Sequence, residues 1–138
     1  MRVDWSWERA AESIPVLLEG FRITLLATVV GFLIAAALGL VVAVLRRSAP
    51  AVITVPLRMA SEFIRLTPLV VQLLFAYFLL PQFTALQIGI VVIGIHYATY
   101  MAEVYRAGID AVPRGQWEAA QALSLPAGRT WRAVVLPQ

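Results

Sequence analysis

The sequence predicts an all-α membrane protein, because long uncharged runs alternate with short arginine-rich stretches. Of its 138 residues, 61% are hydrophobic and 14% are charged, whereas a soluble domain carries about 25% charged residues. Residues 23–45 and 66–102 contain no charged side chain. The absence of cysteine excludes a disulfide scaffold, a thiol nucleophile and a thiolate metal site.

The first 22 residues are predicted to form an interfacial amphipathic segment. Apolar side chains recur in it at helical spacing, and Trp5 and Trp7 suit the lipid headgroup region. A proline is unfavourable inside a helix, so Ser13 is predicted to cap a fresh helix that starts near Pro15. This segment therefore precedes the membrane spans of residues 23–110.

The uncharged runs predict three transmembrane helices. The first run, residues 23–45, reaches roughly 34 Å as a helix, enough for a hydrocarbon core of about 30 Å, whereas a signal peptide would be shorter. The second run is too long for one crossing and contains a turn-like break at Pro81–Thr84. The predicted spans are Ile23–Leu45, about Arg58–Leu80 and about Leu86–Ala102.

Small residues recur every fourth position in two of these spans, which predicts close packing of helices in a bundle. They are Ala27, Gly31, Ala35, Gly39 and Ala43 in the first span, and Gly94, Ala98 and Ala102 in the third.

Arginine placement predicts the orientation. All 11 basic residues are arginines, and eight of them follow residue 45, in the loop before the second span and in the tail. Because positive loops stay in the cytoplasm, we expect a multi-pass membrane protein with its N-terminus outside and its tail cytoplasmic. This arrangement accounts for the net charge of +3 without a nucleic-acid partner.

Few polar side chains lie at membrane depth. Thr67, Gln72 and His96 are candidate functional residues, since ionisable or polar groups in a membrane are often functional. Packing is the alternative role for His96. A single histidine without cysteine predicts no metal site, and no phosphate loop or nucleophile motif is present. The pattern thus predicts neither an enzyme nor a bound cofactor.

The tail, residues 111–138, is predicted to form a compact cytoplasmic unit. Good helix formers run from Gln116 to Leu125, Pro126 ends that helix, and a second short helix covers about Ala127–Val135. Such a unit is expected to bind a partner.

The tail resembles the EAA loop of bacterial ABC importer permeases, which reads E-A-A, three residues, G, nine residues, I-x-L-P. Glu118-Ala119-Ala120, Ser124 and Val134-x-Leu136-Pro137 keep this spacing, with Ser124 in place of the glycine. Residues 63–72 and 100–109 are similar to two conserved runs of the polar amino acid branch. Positions that the resemblance assigns to ATPase coupling are Gly115, Glu118, Ala119, Ala120, Ser124, Val134, Leu136 and Pro137.

The resemblance implies a multi-pass permease subunit of the bacterial inner membrane that couples the motion of a cytoplasmic ATPase dimer to solute translocation. ATP would be bound by the ATPase, a second permease subunit, identical or different, would complete the path, and an extracytoplasmic binding protein would deliver the solute. Members of the family continue with two more spans, so residues 1–138 are expected to be the first part of a five-span bundle.

Polar amino acids or related zwitterions are the implied solutes. The opening Asp4-Trp5-Ser6-Trp7 and the stretch 122–126 resemble permeases for ectoine and hydroxyectoine. The alternative is a small membrane adaptor that docks an unrelated cytoplasmic protein.

Overall fold

The computed structural model describes residues 6–138, and within this range it contains helices and no strand. The all-α prediction is confirmed. In chain order the helices are α1 (Trp7–Ser48), α2 (Ala51–Leu66), α3 (Leu69–Leu79), α4 (Ala85–Ala111), α5 (Arg114–Ala122) and α6 (Ala127–Thr130), followed by a π-helical turn, Trp131–Val135.

Helix α1 is continuous over 42 residues, so the predicted restart near Pro15 is wrong. Ser6 is the N-cap, and its hydroxyl accepts from the Arg9 amide, while the Ser13 hydroxyl donates to the Arg9 carbonyl at 2.8 Å. A proline removes one backbone N–H, and the intrahelical hydrogen bonds on both sides keep the helix intact. The Trp5 prediction lies outside the described residues, and interfacial placement of residues 1–22 stays a prediction.

The predicted single helix over Arg58–Leu80 is also wrong, because α2 and α3 meet at an angle of 102°. Pro68 cannot continue the hydrogen-bond ladder and forces Thr67 out of the helical region, to φ −86° and ψ 126°. By length and composition α1 and α4 each suffice to cross a membrane, whereas α2 and α3 do so only as one bent pair.

Helix α4 begins one residue before its predicted start and extends nine residues beyond its predicted end. Thr84 and Gln87 form a reciprocal capping box at its N-terminus. Beyond Ala102, Glu103, Arg106 and Asp110 pair along one face at helical spacing, which supports the added turns.

The small-residue faces pack α1 against α4, as the sequence predicts. A Cβ on Gly39 would lie 2.6 Å from the Met101 Cβ, and a Cβ on Gly94 would lie 2.7 Å from Ile34 Cγ2. Both distances are too short for a side chain, so these glycines permit the backbone approach. Buried positions on the two faces are Gly31, Ala35, Gly39, Ala43, Gly94, Ala98 and Ala102.

Candidate functional site

Helix α5 presents the Glu-Ala-Ala sequence with two of its three side chains outward. Glu118 and Ala119 are exposed, whereas Ala120 is buried at 3% exposure. The helix starts two residues earlier than predicted, at Arg114, and ends earlier, at Ala122. Of the other predicted coupling positions, Val134 is half-buried, and those exposed are Gly115, Ser124, Leu136 and Pro137.

A Schellman motif ends α5 at Ser124. The Leu125 amide donates to the Ala120 carbonyl at 3.0 Å, and the Ser124 amide donates to the Gln121 carbonyl at 2.8 Å. Ser124 has φ +51°, the left-handed conformation that glycine adopts most easily. Ser124, which stands where the EAA-loop pattern has glycine, therefore forms a left-handed turn with some backbone strain.

An aromatic core holds the tail against the end of α4. Trp117 of α5 packs edge-to-face on Trp131 at 5.8 Å, and both rings contact a buried apolar cluster. The cluster consists of Ile109, Val112 and Val135. The second tail helix reaches the predicted residue 135, but its last turn is π-helical, with the Leu136 amide donating to the Trp131 carbonyl. The tail is thus a folded unit fixed to α4.

A network of ion pairs joins three helices beside this unit, and Glu103 of α4 is at its centre. Its Oε1 accepts from Arg46 of α1 at 2.7 Å and from Arg65 of α2 at 3.2 Å, while Oε2 accepts from Arg106 at 2.9 Å. One carboxylate therefore holds the ends of α1 and α2 against α4.

The network continues from Arg106 to the tail. Asp110 accepts from Arg106 at 2.9 Å and from Arg47 at 2.7 Å, and the Arg47 guanidinium lies 5.4 Å from the Trp117 ring centre. Sequence reasoning used these charges only for orientation and missed the pairs. Helical spacing of Glu103, Arg106 and Asp110 was the available signal, whereas the partners on α1 and α2 lie far away in sequence.

The candidate functional residues Thr67, Gln72 and His96 meet at the bend between α2 and α3. Pro68 cannot donate to the Ile64 carbonyl, and the Gln72 amide nitrogen does so instead at 2.7 Å, with a second bond to the Thr67 carbonyl at 2.8 Å. His96 Nδ1 lies 3.1 Å from Gln72 Nε2 and 3.3 Å from Gln72 Oε1. Because both amide hydrogens are used by the two carbonyls, we assign Oε1 as the partner, which accepts from a protonated Nδ1. Gln72 and His96 thus fasten the bend to α4.

The residues the structure describes, 6–138, include no group of three or more histidine, aspartate or glutamate side chains that could hold a metal ion. An apolar groove of about 590 Å³ runs between α1 and α4, with Tyr97 and Tyr100 along one edge. Its lining contains no charged side chain.

Comparisons with known proteins agree with this architecture. Residues 35–138 match the family described as binding-protein-dependent transport system inner membrane component. A probable amino-acid ABC transporter permease of Sinorhizobium fredii is 46% identical over 133 residues, covering 94% of this chain and 58% of the relative. The arginine transport system permease ArtQ of Bacillus subtilis is 37% identical over 143 residues, covering 100% of this chain and 64% of the relative.

A solved structure is also similar. The crystal structure of an amino acid ABC transporter with histidines has a TM-score of 0.85 and 34% identity, covering 100% of this chain and 65% of the solved chain. The chain thus spans about three fifths of the length of these relatives. It belongs to the family of binding-protein-dependent transport system inner membrane components, which are transport subunits and not enzymes.

Proposed function

We propose that this chain acts in an ATP-binding cassette importer as a permease subunit that couples the motion of an ATPase to the translocation of an amino acid. One observation carries the proposal: a folded tail, fixed to the end of α4, exposes Glu118 and Ala119 on a short helix. The relatives named as amino-acid permeases support the same function.

The exposed face of α5 is our candidate for ATPase docking. Glu118 supplies a carboxylate for basic or amide groups, and the small Ala119 side chain allows a partner to approach closely. The Schellman turn at Ser124 connects α5 to the next helix, and Leu136 and Pro137 are exposed and belong to the proposed coupling set. Gly115, Ala120 and Val134 complete the proposed coupling set by shaping this unit.

Thr67, Gln72 and His96 are our candidates for residues that shape the translocation path. The break at Thr67–Pro68 supports this role, because irregular backbone at membrane depth occurs where it is buried in protein or lines a cavity. We propose that Gln72 keeps the bent span in place, since it satisfies the carbonyl that Pro68 leaves without a donor.

The proposed assembly contains an ATPase dimer, a second permease subunit, identical or different, and an extracytoplasmic solute-binding protein. ATP would bind only to the ATPase. The proposed orientation, N-terminus outside and tail cytoplasmic, is supported by the arginines at positions 46, 47, 65 and 106, which cluster at the end of the bundle that carries the tail.

Copurification tests the docking surface. We expect the unaltered chain, coexpressed with the ATPase subunit of an amino-acid importer, to bind it, and Glu118→Lys to weaken binding by about tenfold or more through like-charge contact. Glu12→Lys makes the same charge change on an exposed position of α1 and should leave binding intact. Equal binding by both variants would contradict the docking role of Glu118.

Labelling tests the orientation. The chain contains no cysteine, so Gln121→Cys introduces a single thiol on the exposed surface of α5. We expect a membrane-impermeant maleimide to label this thiol in inverted membrane vesicles but not in intact cells. Labelling in intact cells would overturn the cytoplasmic placement and the ATPase contact with it.

Uptake measurements test the solute. The relatives include an arginine transport permease and a putative glutamine transport permease, so arginine and glutamine are the first solutes to assay beside ectoine. The ectoine prediction rests on the sequence resemblance alone, and Asp4 and Trp5 lie outside the described residues. The adaptor alternative predicts uptake of none of these and no bound ATPase.

A further inference from the structure

We propose that Arg47 is a positioning residue that connects the coupling segment, residues 111–138, directly to the first span. Through Arg47, a displacement of the segment would reach α1 as well as α4. This inference rests on the proposed function and adds a second route for the motion that the function requires.

The covalent link between the coupling segment and the membrane helices runs through α4, at Val112 and Pro113. Arg47 adds a link from another helix, because it lies in the last turn of α1 and 63 positions before its partner Asp110. Its Nη1 donates to Asp110 Oδ1 at 2.7 Å, and the same guanidinium lies over the Trp117 ring. A planar guanidinium combines an edge-on ion pair with a face-on aromatic contact, as a lysine does less well.

Trp117 is a suitable receiver because it belongs to the packed interior of the segment. It contacts Trp131 edge-to-face, and both rings lie on the cluster that contains the buried Val135. A force on α5 or on the π-helical turn therefore meets Arg47 through rigid aromatic contacts. Rigid packed elements of this kind transmit displacement as a unit.

The neighbouring arginine anchors the same end of α1 to the bundle. Arg46 is only 14% exposed and donates to Glu103, which also accepts from Arg65 of α2. In the last turn of α1, Arg46 thus pairs with a carboxylate of α4, whereas Arg47 pairs with Asp110 at the end of α4 and also contacts Trp117 of the coupling segment. Arg47 therefore lies where the membrane helices and the coupling segment meet.

The chain offers a matched control. Arg58 and Glu62 form an ion pair of similar length, 2.8 Å, within the single helix α2, and Arg58 is exposed. An exposed pair contributes little to stability. Loss of Arg58 removes a surface ion pair without touching the coupling segment, so it reports the effect of such a loss alone.

The first test uses the assembled importer in proteoliposomes and measures solute molecules taken up per ATP hydrolysed. We expect Arg47→Ala to lower this ratio about fivefold or more, while ATPase copurification and the thermal unfolding midpoint match those of Arg58→Ala. Arg47→Lys retains the cation and should restore at least part of the ratio. An unchanged ratio in Arg47→Ala would overturn the proposal.

The second test needs only the chain itself, in lipid nanodiscs. We expect amide hydrogen exchange in residues 114–122 to accelerate in Arg47→Ala but not in Arg58→Ala, because α5 loses its contact with α1. Equal exchange in the two variants would overturn the proposed link. If the unaltered chain binds no ATPase, the proposed function fails, and the exchange result still decides whether Arg47 holds the segment.

Discussion

Helices α1 and α4 meet in two ways along their length. In the middle, small residues from Gly31 to Ala43 pack against Gly94 and its neighbours without charges, and at the end Arg46 and Arg47 reach the carboxylates of α4. Close packing drives association where lipid removes any hydrophobic advantage. The charged end also contacts other elements, because Glu103 pairs with Arg65 of α2 and Arg47 contacts Trp117 of α5.

The packed half of the interface, residues 31–43 of α1 against α4, has less room for change than the charged half, where Arg46 and Arg47 pair with α4. Met101 Cβ and the Ala98 carbonyl leave no room beside Gly39, whereas Arg47 and Asp110 are partly exposed. The packed half therefore fixes the distance between the spans. The charged half determines how the tail is connected to them.

The largest expected effect comes from breaking the packed half. A methyl group at Gly39 would meet the Met101 Cβ at 2.6 Å, so we expect Gly39→Ala to destabilise the chain by about 3 kcal/mol. Gly89→Ala is the control, because nothing lies within 4 Å of its Cβ position and alanine favours a helix. Unfolding in detergent should separate the two variants, and equal midpoints would argue against close packing at Gly39.

A smaller effect is expected from breaking the charged half. Glu103→Gln removes the charge that faces three arginines, two of them partly buried, and should destabilise the chain by about 2 kcal/mol. Glu62→Gln, which affects one exposed pair, should cost less than about 1 kcal/mol. Equal unfolding midpoints for the two variants would show that the network around Glu103 stabilises the chain no more than one exposed ion pair does.

The smallest effect on stability is expected from substitutions of Ser124 in the tail. Ser124→Gly relieves a left-handed backbone conformation and should stabilise the coupling segment by up to about 1 kcal/mol, whereas Ser124→Val should destabilise it. Hydrogen exchange in residues 114–122 measures this locally. A Ser124→Gly variant with faster exchange would show that serine makes a contact that offsets its backbone strain.

Local patterns in the sequence predicted the parts of the fold that depend on periodicity. Small residues at every fourth position predicted close packing of helices, which the structure realises between α1 and α4, and Pro126 correctly separated the two tail helices. The turn at Ser124 was not predicted, because the helix formers up to Leu125 suggested a helix through this position, whereas α5 ends at Ala122 and Ser124 has a positive φ.

Features that depend on competition between distant groups were not predictable. Pro15 leaves α1 intact while Pro68 bends the second span, although both interrupt apolar runs. The difference follows from context: at Pro68 the side chain of Gln72 replaces the missing donor and binds His96 of another helix. The partners of Glu103 likewise come from α1 and α2, and a linear sequence does not show which arginines will reach it.

The unbroken length of α1 has a mechanical consequence. If α1 were to pivot at Gly39 as a stiff rod, it would have one arm of about 12 Å to Arg47 and another of about 48 Å to Trp7. A displacement at Arg47 would then be about fourfold larger at Trp7. The first span would act as a lever that reports events at one membrane face on the other.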